Sequence, residues 1–267
     1  MTADREERKY LLSADALLPL VAELSERLLP HRFSGEGANR LPDAHHFVTT
    51  VYFDTPSRWH YFGSIRNRES NVKVRAKEYY DIHPSLAELA TDPAEIVRPQ
   101  PWVWFELKRR DGLRTTKRRF RLLKEDVSEF FSEACRGRRL DRGCTGTRSE
   151  PLEDVVEHCR ALGEPLSADC VANYRRASWQ DARGALRVTV DVGLSFYMPP
   201  VDLWTSARAL SRERLGAPRA HCAGAIVEVK QRESEPAWLR EALTRSGAQP
   251  VALSKFTMAS EAVHGAA

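Results

Sequence analysis

Long apolar runs, paired cysteines and glycine-rich loops are scarce in this sequence, and each absence excludes something. No uncharged hydrophobic stretch approaches the roughly 20 residues that span a bilayer, and Met1–Lys9 is polar and charged from the second residue. Neither a membrane helix nor a secretory signal is expected, and a cytoplasmic protein is. The five cysteines (Cys135, Cys144, Cys159, Cys170, Cys222) show no Cys-x-x-Cys spacing, which argues against a disulfide framework and against a zinc site. There is no Walker A loop and no kinase-type glycine-rich loop, so side chains must grip any nucleotide. Internal repeats are also missing. His45-His46 is the one close histidine pair; it falls in what reads as a loop without a third ligand, and a surface pair is the better reading than a metal site.

Charge is plentiful: 41 Lys and Arg against 37 Asp and Glu in 267 residues, a net of +4. With 42% hydrophobic residues, the chain suits one domain over 1–267. Helical spacing appears at Ser13–Leu29, through Leu17, Val21, Leu24 and Leu28, with Pro19 delaying the regular part. Further helices are expected at Glu125–Cys135, Pro151–Leu162 and Pro236–Ser246, and a Gly- and Arg-rich connection over Arg136–Thr147. Strand patterns occur in the first charged segment and at Phe47–Phe53, Val72–Tyr79, Val103–Arg110, Arg114–Leu122, Val171–Trp179, Leu186–Leu194 and Ala225–Lys230, and a short extended piece at Val251–Phe256. The strands and helices do not alternate as in a parallel sheet, so the fold class is α+β on an antiparallel sheet.

Residues i and i+2 of a strand share a face. On that basis one face gathers Arg5, Glu7 and Lys9; Lys73, Arg75 and Lys77; Glu106, Lys108 and Arg110; Lys117, Arg119 and Arg121; Arg176; Arg187 and Asp191; and Glu228 and Lys230. Thirteen of these are basic and four acidic, which leaves 28 basic and 33 acidic residues for the rest of the chain. A solvated sheet face is the competing explanation, but such faces normally mix both signs. Like charges about 6.6 Å apart repel by about 2.5 kcal/mol at an effective dielectric near 20. An anion would offset that cost. Closing the sheet into a barrel would turn these side chains into one lumen, with the alternate apolar residues packed outward.

These segments resemble the triphosphate tunnel metalloenzymes, and more specifically the vacuolar transporter chaperone (VTC) polyphosphate polymerase domain and its bacterial relatives. The matching segments run in order: Arg5-Glu6-Glu7-Arg8-Lys9-Tyr10, Val51-Tyr52-Phe53-Asp54-Thr55, Val74-Arg75-Ala76-Lys77-Glu78-Tyr79, Phe105-Glu106-Leu107-Lys108, Lys117-Arg118-Arg119-Phe120, Tyr174-Arg175-Arg176-Ala177, Leu186-Arg187-Val188-Thr189-Val190-Asp191, Val227-Glu228-Val229-Lys230 and Ser254-Lys255-Phe256. The resemblance implies an eight-stranded antiparallel β-barrel tunnel with flanking helices that binds ATP and inorganic polyphosphate. It assigns Lys9, Arg75, Lys77, Lys108, Arg176 and Arg187 to the reacting phosphates. Lys117, Arg119, Tyr174, Lys230 and Lys255 become further phosphate contacts, and Glu228 the ligand of Mn²⁺ or Mg²⁺. Two positions depart from the pattern: Arg5 replaces the first glutamate of Glu-x-Glu-x-Lys, and Ala252 replaces a lysine three residues before Lys255.

Phosphoryl transfer needs positioning and charge neutralisation more than covalent chemistry. Arginines suit bidentate phosphate contacts and lysines act as point charges. A polyphosphate end is already an ionised nucleophile, so a polymerase needs no general base; a hydrolase would favour a carboxylate such as Glu7 or Glu106 to position water. Polymerase, hydrolase of tripolyphosphate or nucleoside triphosphates, and non-catalytic binder of polyphosphate or inositol phosphates therefore stand as three readings. No RNP-type motif is present and no nucleic-acid partner is expected. Trp102, Trp104 and Phe105 could stack a base, though core or rim packing is the simpler reading. The arginines Arg136, Arg138, Arg139 and Arg142 read as solvated. Exported polymer would require a separate membrane partner.

Overall fold

Alternation of apolar and charged residues sets the long strands. The computed structural model describes residues 6–31, 45–80, 101–112, 114–127, 130, 150–204 and 209–266. Its strands are β1 (Glu6–Leu12), β2 (Leu29–Pro30), β3 (His45–Asp54), β4 (Ser70–Tyr80), β5 (Trp102–Asp111), β6 (Arg114–Leu123), β7 (Ser167–Gln180), β8 (Leu186–Tyr197), β9 (Ala220–His221), β10 (Ala225–Gln231) and β11 (Gln249–Pro250). Its helices are α1 (Leu17–Arg27), α2 (Trp59–Arg66), α3 (Glu150–Leu162), α4 (Arg212–Leu215), α5 (Ala237–Arg245) and α6 (Lys255–His264). The eight long strands coincide with the alternating segments of the sequence. Two expectations are corrected. His45-His46 opens β3 instead of lying in a loop. The extended piece at Val251–Phe256 is not a strand: two-residue β11 ends before it, and its last two residues open α6, whose start Ser254 caps by accepting from the Thr257 N–H. Of the helix expected at Glu125–Cys135, a 3₁₀ turn at Lys124–Asp126 leads into helical Val127 and Phe130, and most of the rest lies outside the described residues, as do Arg5 and the Arg136–Thr147 segment.

All strand pairs are antiparallel, in the order β11-β1-β10-β8-β7-β3-β4-β5-β6, with β2 added to β7 and β9 to β8. The expected closed eight-stranded barrel is therefore corrected to an eleven-stranded sheet that ends at β11 and β6 without joining. The extra members are two-residue strands, too short to carry an alternation. The sheet nevertheless curls strongly. Glu7 on β1 and Lys108 on β5 are six strand steps apart, which in a flat sheet would be about 29 Å, yet their charges act on one another. Lys117 on β6 and Lys230 on β10 are likewise coupled through space. Leu253 and Ser254 bridge the curl: the carbonyl of one accepts from Lys9 Nζ at 3.0 Å and the hydroxyl of the other from Lys73 Nζ at 3.0 Å.

Three apolar clusters hold this shape. On the outside of β3–β6, Val103, Phe105, Leu107 and Leu122 pack under Val155 and Cys159 of α3. Outside β1, β8 and β10, Val188, Val190, Val227 and Val229 meet Leu20 and Leu24 of α1 and Leu239 and Leu243 of α5. The third lies on the inner face, where Phe256 and Ala259 of α6 join Val48, Tyr52, Tyr174, Leu194, Phe196 and Ile226. An irregularity opposite Asn173–Arg175 makes this possible. Gly193 there adopts φ +61, and the parity of β8 switches, so Leu194 and Phe196 turn inward on the same side as Asp191. Gly224 is required for a different reason: a Cβ on it would overlap the Leu12 carbonyl of β1.

Two buried polar groups brace the outside. Asp54, from the Asp-Thr-Pro turn, accepts from the backbone N–H groups of His60 and Tyr61 at 2.9 Å and so caps α2, which the sequence pattern did not reveal. His60 Nδ1 lies 2.9 Å from the same carboxylate and its Nε2 2.9 Å from His158 Nε2, tying α2 to α3. Burial, then the neighbouring His60 and Arg109, push His158 down to about 4. Glu78 accepts from Lys124 and from the Leu210 N–H at 3.0 Å, fixing the chain after β8. Among the described residues no helix is long and apolar enough to cross a membrane.

Candidate functional site

The curl turns the charged parity of seven strands toward one another. Register supplies the first contacts: Arg75 of β4 lies opposite Glu106 of β5, which lies opposite Arg119 of β6. Glu106 is fully buried and takes three cations. Arg75 donates Nε at 2.8 Å, with a shorter bond from Nη2; Arg119 donates at 3.1 Å; and Lys117 Nζ stands 3.6 Å away. Burial alone would raise this carboxyl, but Arg75, Lys77 and Lys117 outweigh it and hold it far below the usual carboxylate range. Lys77, 7% exposed, is the opposite case: among the described residues no carboxylate comes within ion-pairing distance of its ammonium. Burial and then Arg75 push it well below an ordinary lysine.

Three more lysines are lowered by burial. Lys73 is pushed to about 7 by burial and by Lys108, Lys9, Arg75 and Arg110. Lys108 is lowered to about 8, again chiefly by burial, although Glu7 opposes the shift. Lys117 is also brought to about 8; its side chain is 42% exposed, so water screens it more than the others. Lys73 was visible in the alternation but was not singled out as a site residue. Its signal was its parity with Arg75 and Lys77.

Across the curl the cations are matched. Asp191, buried, receives Arg176 through two bonds of 2.6 and 2.7 Å and Lys255 at 2.7 Å. The carboxyl is held at about 2: burial opposes this, and Arg176 and Lys255 prevail. The Tyr174 ring lies between these cations, 5.3 Å from the Arg176 guanidinium and 5.0 Å from Lys255 Nζ. Tyr174 is 2% exposed, and its ring packs against both cations. Glu228 pairs with Lys230, which also stands 3.7 Å from Glu7; Lys9 is 3.4 Å from Glu7. Burial would raise both carboxyls, yet the cations keep Glu7 low and Glu228 well below its ordinary value. Arg187 pairs in register with Lys230 and donates to Gln180 at 3.5 Å, farthest along the face.

The twelve residues singled out from sequence thus all lie on the inner face or at the start of α6. Sequence reasoning missed Asp191 as an anchor and Leu253 and Ser254 as the bridge; for Glu7 and Glu106, pairing with neighbouring cations was the alternative to a catalytic role, and both are so paired here. Among the described residues no group of three His, Cys, Asp or Glu could hold a metal. A divalent ion here would find two ionised carboxylates, Glu7 and Glu228. That oxygen set fits Mg²⁺ or Mn²⁺ when phosphates and water complete the shell, and Lys230 now stands between the two as counter-cation.

The VTC domain family model matches residues 4–264. No curated protein matches the sequence. Among solved structures, the fold is similar to a Hippeastrum protein, HpAC1, described as an adenylyl cyclase candidate with a dominant triphosphatase activity. That protein is 15% identical, with a TM-score of 0.52 and coverage of 95% of this chain and 93% of the other. An adenylate cyclase candidate from Bacillus halodurans aligns at 14% identity and TM-score 0.50, over 94% and 95% of the two chains.

Proposed function

Because the chain belongs to the VTC domain family, we propose that it is a polyphosphate polymerase, one domain that moves the γ-phosphoryl group of ATP onto the end of an inorganic polyphosphate chain. The terminal chain oxygen forms the new bond to the γ-phosphorus. The bond to the β,γ-bridging oxygen breaks, and ADP leaves with the electron pair; no proton need move. Arg75, Lys77, Lys108 and Lys117 with Arg119 would hold the triphosphate oxygens, and Lys9, Arg176, Arg187, Lys230 and Lys255 the polymer. Mg²⁺ or Mn²⁺ held by Glu228 and Glu7 would draw charge from phosphoryl oxygens. The reading is supported most by the state of the carboxylates. Glu106, Asp191 and Glu228 are buried and tied to cations, and all are held acidic. Such groups are poor bases for activating water and cost a pre-ionised phosphate nucleophile nothing.

A hydrolase acting on tripolyphosphate or nucleoside triphosphates is the second reading. The Hippeastrum neighbour's described triphosphatase activity and the partial exposure of Glu7, 31%, favour it. Incubation with ATP and Mn²⁺ separates them. ADP with acid-labile polymer is expected, and free phosphate without polymer would replace the polymerase by the hydrolase. Binding of polyphosphate or inositol phosphates without turnover would leave a binder. The Arg75→Ala/Lys77→Ala variant should lose whichever activity is present.

A further inference from the structure

The inner face of β5 and β6 changes character along its length. From Glu106 toward Asp111, the inward positions of β5 are Glu106, Lys108 and Arg110, and those facing them on β6 are Arg119, Lys117 and Thr115, so all but the last are ionisable. In the other direction come Trp104 and Trp102, neither of which belongs to the buried core that their outward neighbours Val103, Phe105 and Leu107 form. Register sets Trp104 between Lys77 on β4 and Arg121 on β6. The arginines interleave with the indoles: the Arg119 guanidinium is 5.2 Å from the Trp104 ring centre, and Arg121 is 5.5 Å from Trp104 and 5.9 Å from Trp102. Tyr79 closes the side, 3.5 Å from Arg119 Nη2. Flat, cation-backed surfaces thus begin at the point where the phosphate-type cluster around Glu106 ends.

We propose that Trp104 and Trp102, with Arg119 and Arg121, form a nucleobase subsite that holds the base of the nucleoside triphosphate while Lys77 and the Glu106 cluster hold its phosphates. The inference rests on the phosphate reading above and adds to it the choice of donor. The spacing suits it: successive inward positions of a strand are about 6.8 Å apart, so a base one or two positions beyond the phosphates lies over Trp104 or Trp102. Indole and guanidinium planes both stack on bases. Stacking reads the π-face, so the subsite would separate nucleotides from bare tripolyphosphate more sharply than adenine from guanine.

The test compares two ligands that share phosphates and differ in the base. A non-hydrolysable ATP analogue and inorganic tripolyphosphate are titrated calorimetrically into the full chain, wild type and Trp104→Leu, with Trp104→Phe as the stacking-competent control. Trp104→Leu is expected to weaken the nucleotide about tenfold, leave tripolyphosphate unchanged, and be largely restored by Trp104→Phe. Unchanged tripolyphosphate binding also certifies the fold. Equal losses for both ligands, or no loss for the nucleotide, would overturn the base subsite and leave the phosphate site standing. Failure of wild type to bind either ligand would overturn both.

Discussion

The two sides of the curled sheet carry the same residue types in opposite electrostatic states. On β7, β8, β10 and α6, cations and carboxylates are matched: Arg176 and Lys255 on Asp191, Lys230 on Glu228 and Glu7. Burial works against the charges of Arg176 and Lys230, but their carboxylate partners prevail and raise both. On β4, β5 and β6 one carboxylate, Glu106, serves Arg75, Arg119 and Lys117. Lys73, Lys77, Lys108 and Lys117 are all driven toward neutrality there. Where a buried cation has a partner, removing either one leaves the other charge uncompensated and destabilises the fold; a buried cation without a partner costs stability and gains from a polyanion. The first side reads as scaffold and the second as the place where phosphate charge is wanted.

The comparison breaks most visibly on the matched side. Arg176→Met leaves Asp191, fully buried, with Lys255 alone. A loss of about 3–5 kcal/mol is expected, seen as a melting temperature lower by roughly 10 °C. A variant that melts with the wild type would mean that the pair adds nothing and that the two sides are not different. On the other side the sign should invert. Lys77→Met removes a buried charge without a carboxylate partner and should raise the melting temperature of the ligand-free protein. Tripolyphosphate affinity should fall by about 2 kcal/mol, or roughly thirtyfold. A destabilised Lys77→Met protein with intact affinity would reverse the assignment.

The same contrast explains what could be read in advance. The long strands were legible because their inward residues are charged and their outward ones apolar, as in Val72–Tyr79 and Val103–Arg110. The cationic face followed from that parity alone. Closure was not legible, since parity says which way a side chain points and nothing about whether the first and last strands meet. Two-residue strands such as Gln249–Pro250 carry no period. The helix at Lys255 was hidden because its stop-and-start signal is a single capping serine, Ser254, after a β-like run. The outer Asp54–His60–His158 chain joins residues 98 apart in sequence, which no local pattern could connect. The sharing of Glu106 among three cations depends on register and curl together.

The smallest expected effect is also the one that reads the depleted side directly, through protons. Lys73 titrates at about 7 and Lys108 and Lys117 at about 8, against about 10.4 for an unperturbed lysine. Between pH 7 and 10 the folded protein therefore holds fewer protons than the unfolded chain, and the ligand-free fold should become more stable as pH rises through that window. A bound polyanion restores the lysine charges, so binding takes up protons and the affinity runs the other way. Long-chain polyphosphate, whose charge is nearly fixed over this range, should bind with uptake of about two protons at pH 8 and weaken by at least about tenfold per pH unit above it. Calorimetric titrations in two buffers of different ionisation enthalpy measure that uptake, and Lys73→Met should diminish it. Binding with no proton exchange at pH 8 would mean that the ammonium groups of β4, β5 and β6 do not meet the polymer, and the phosphate site would have to be moved to the matched side of the sheet.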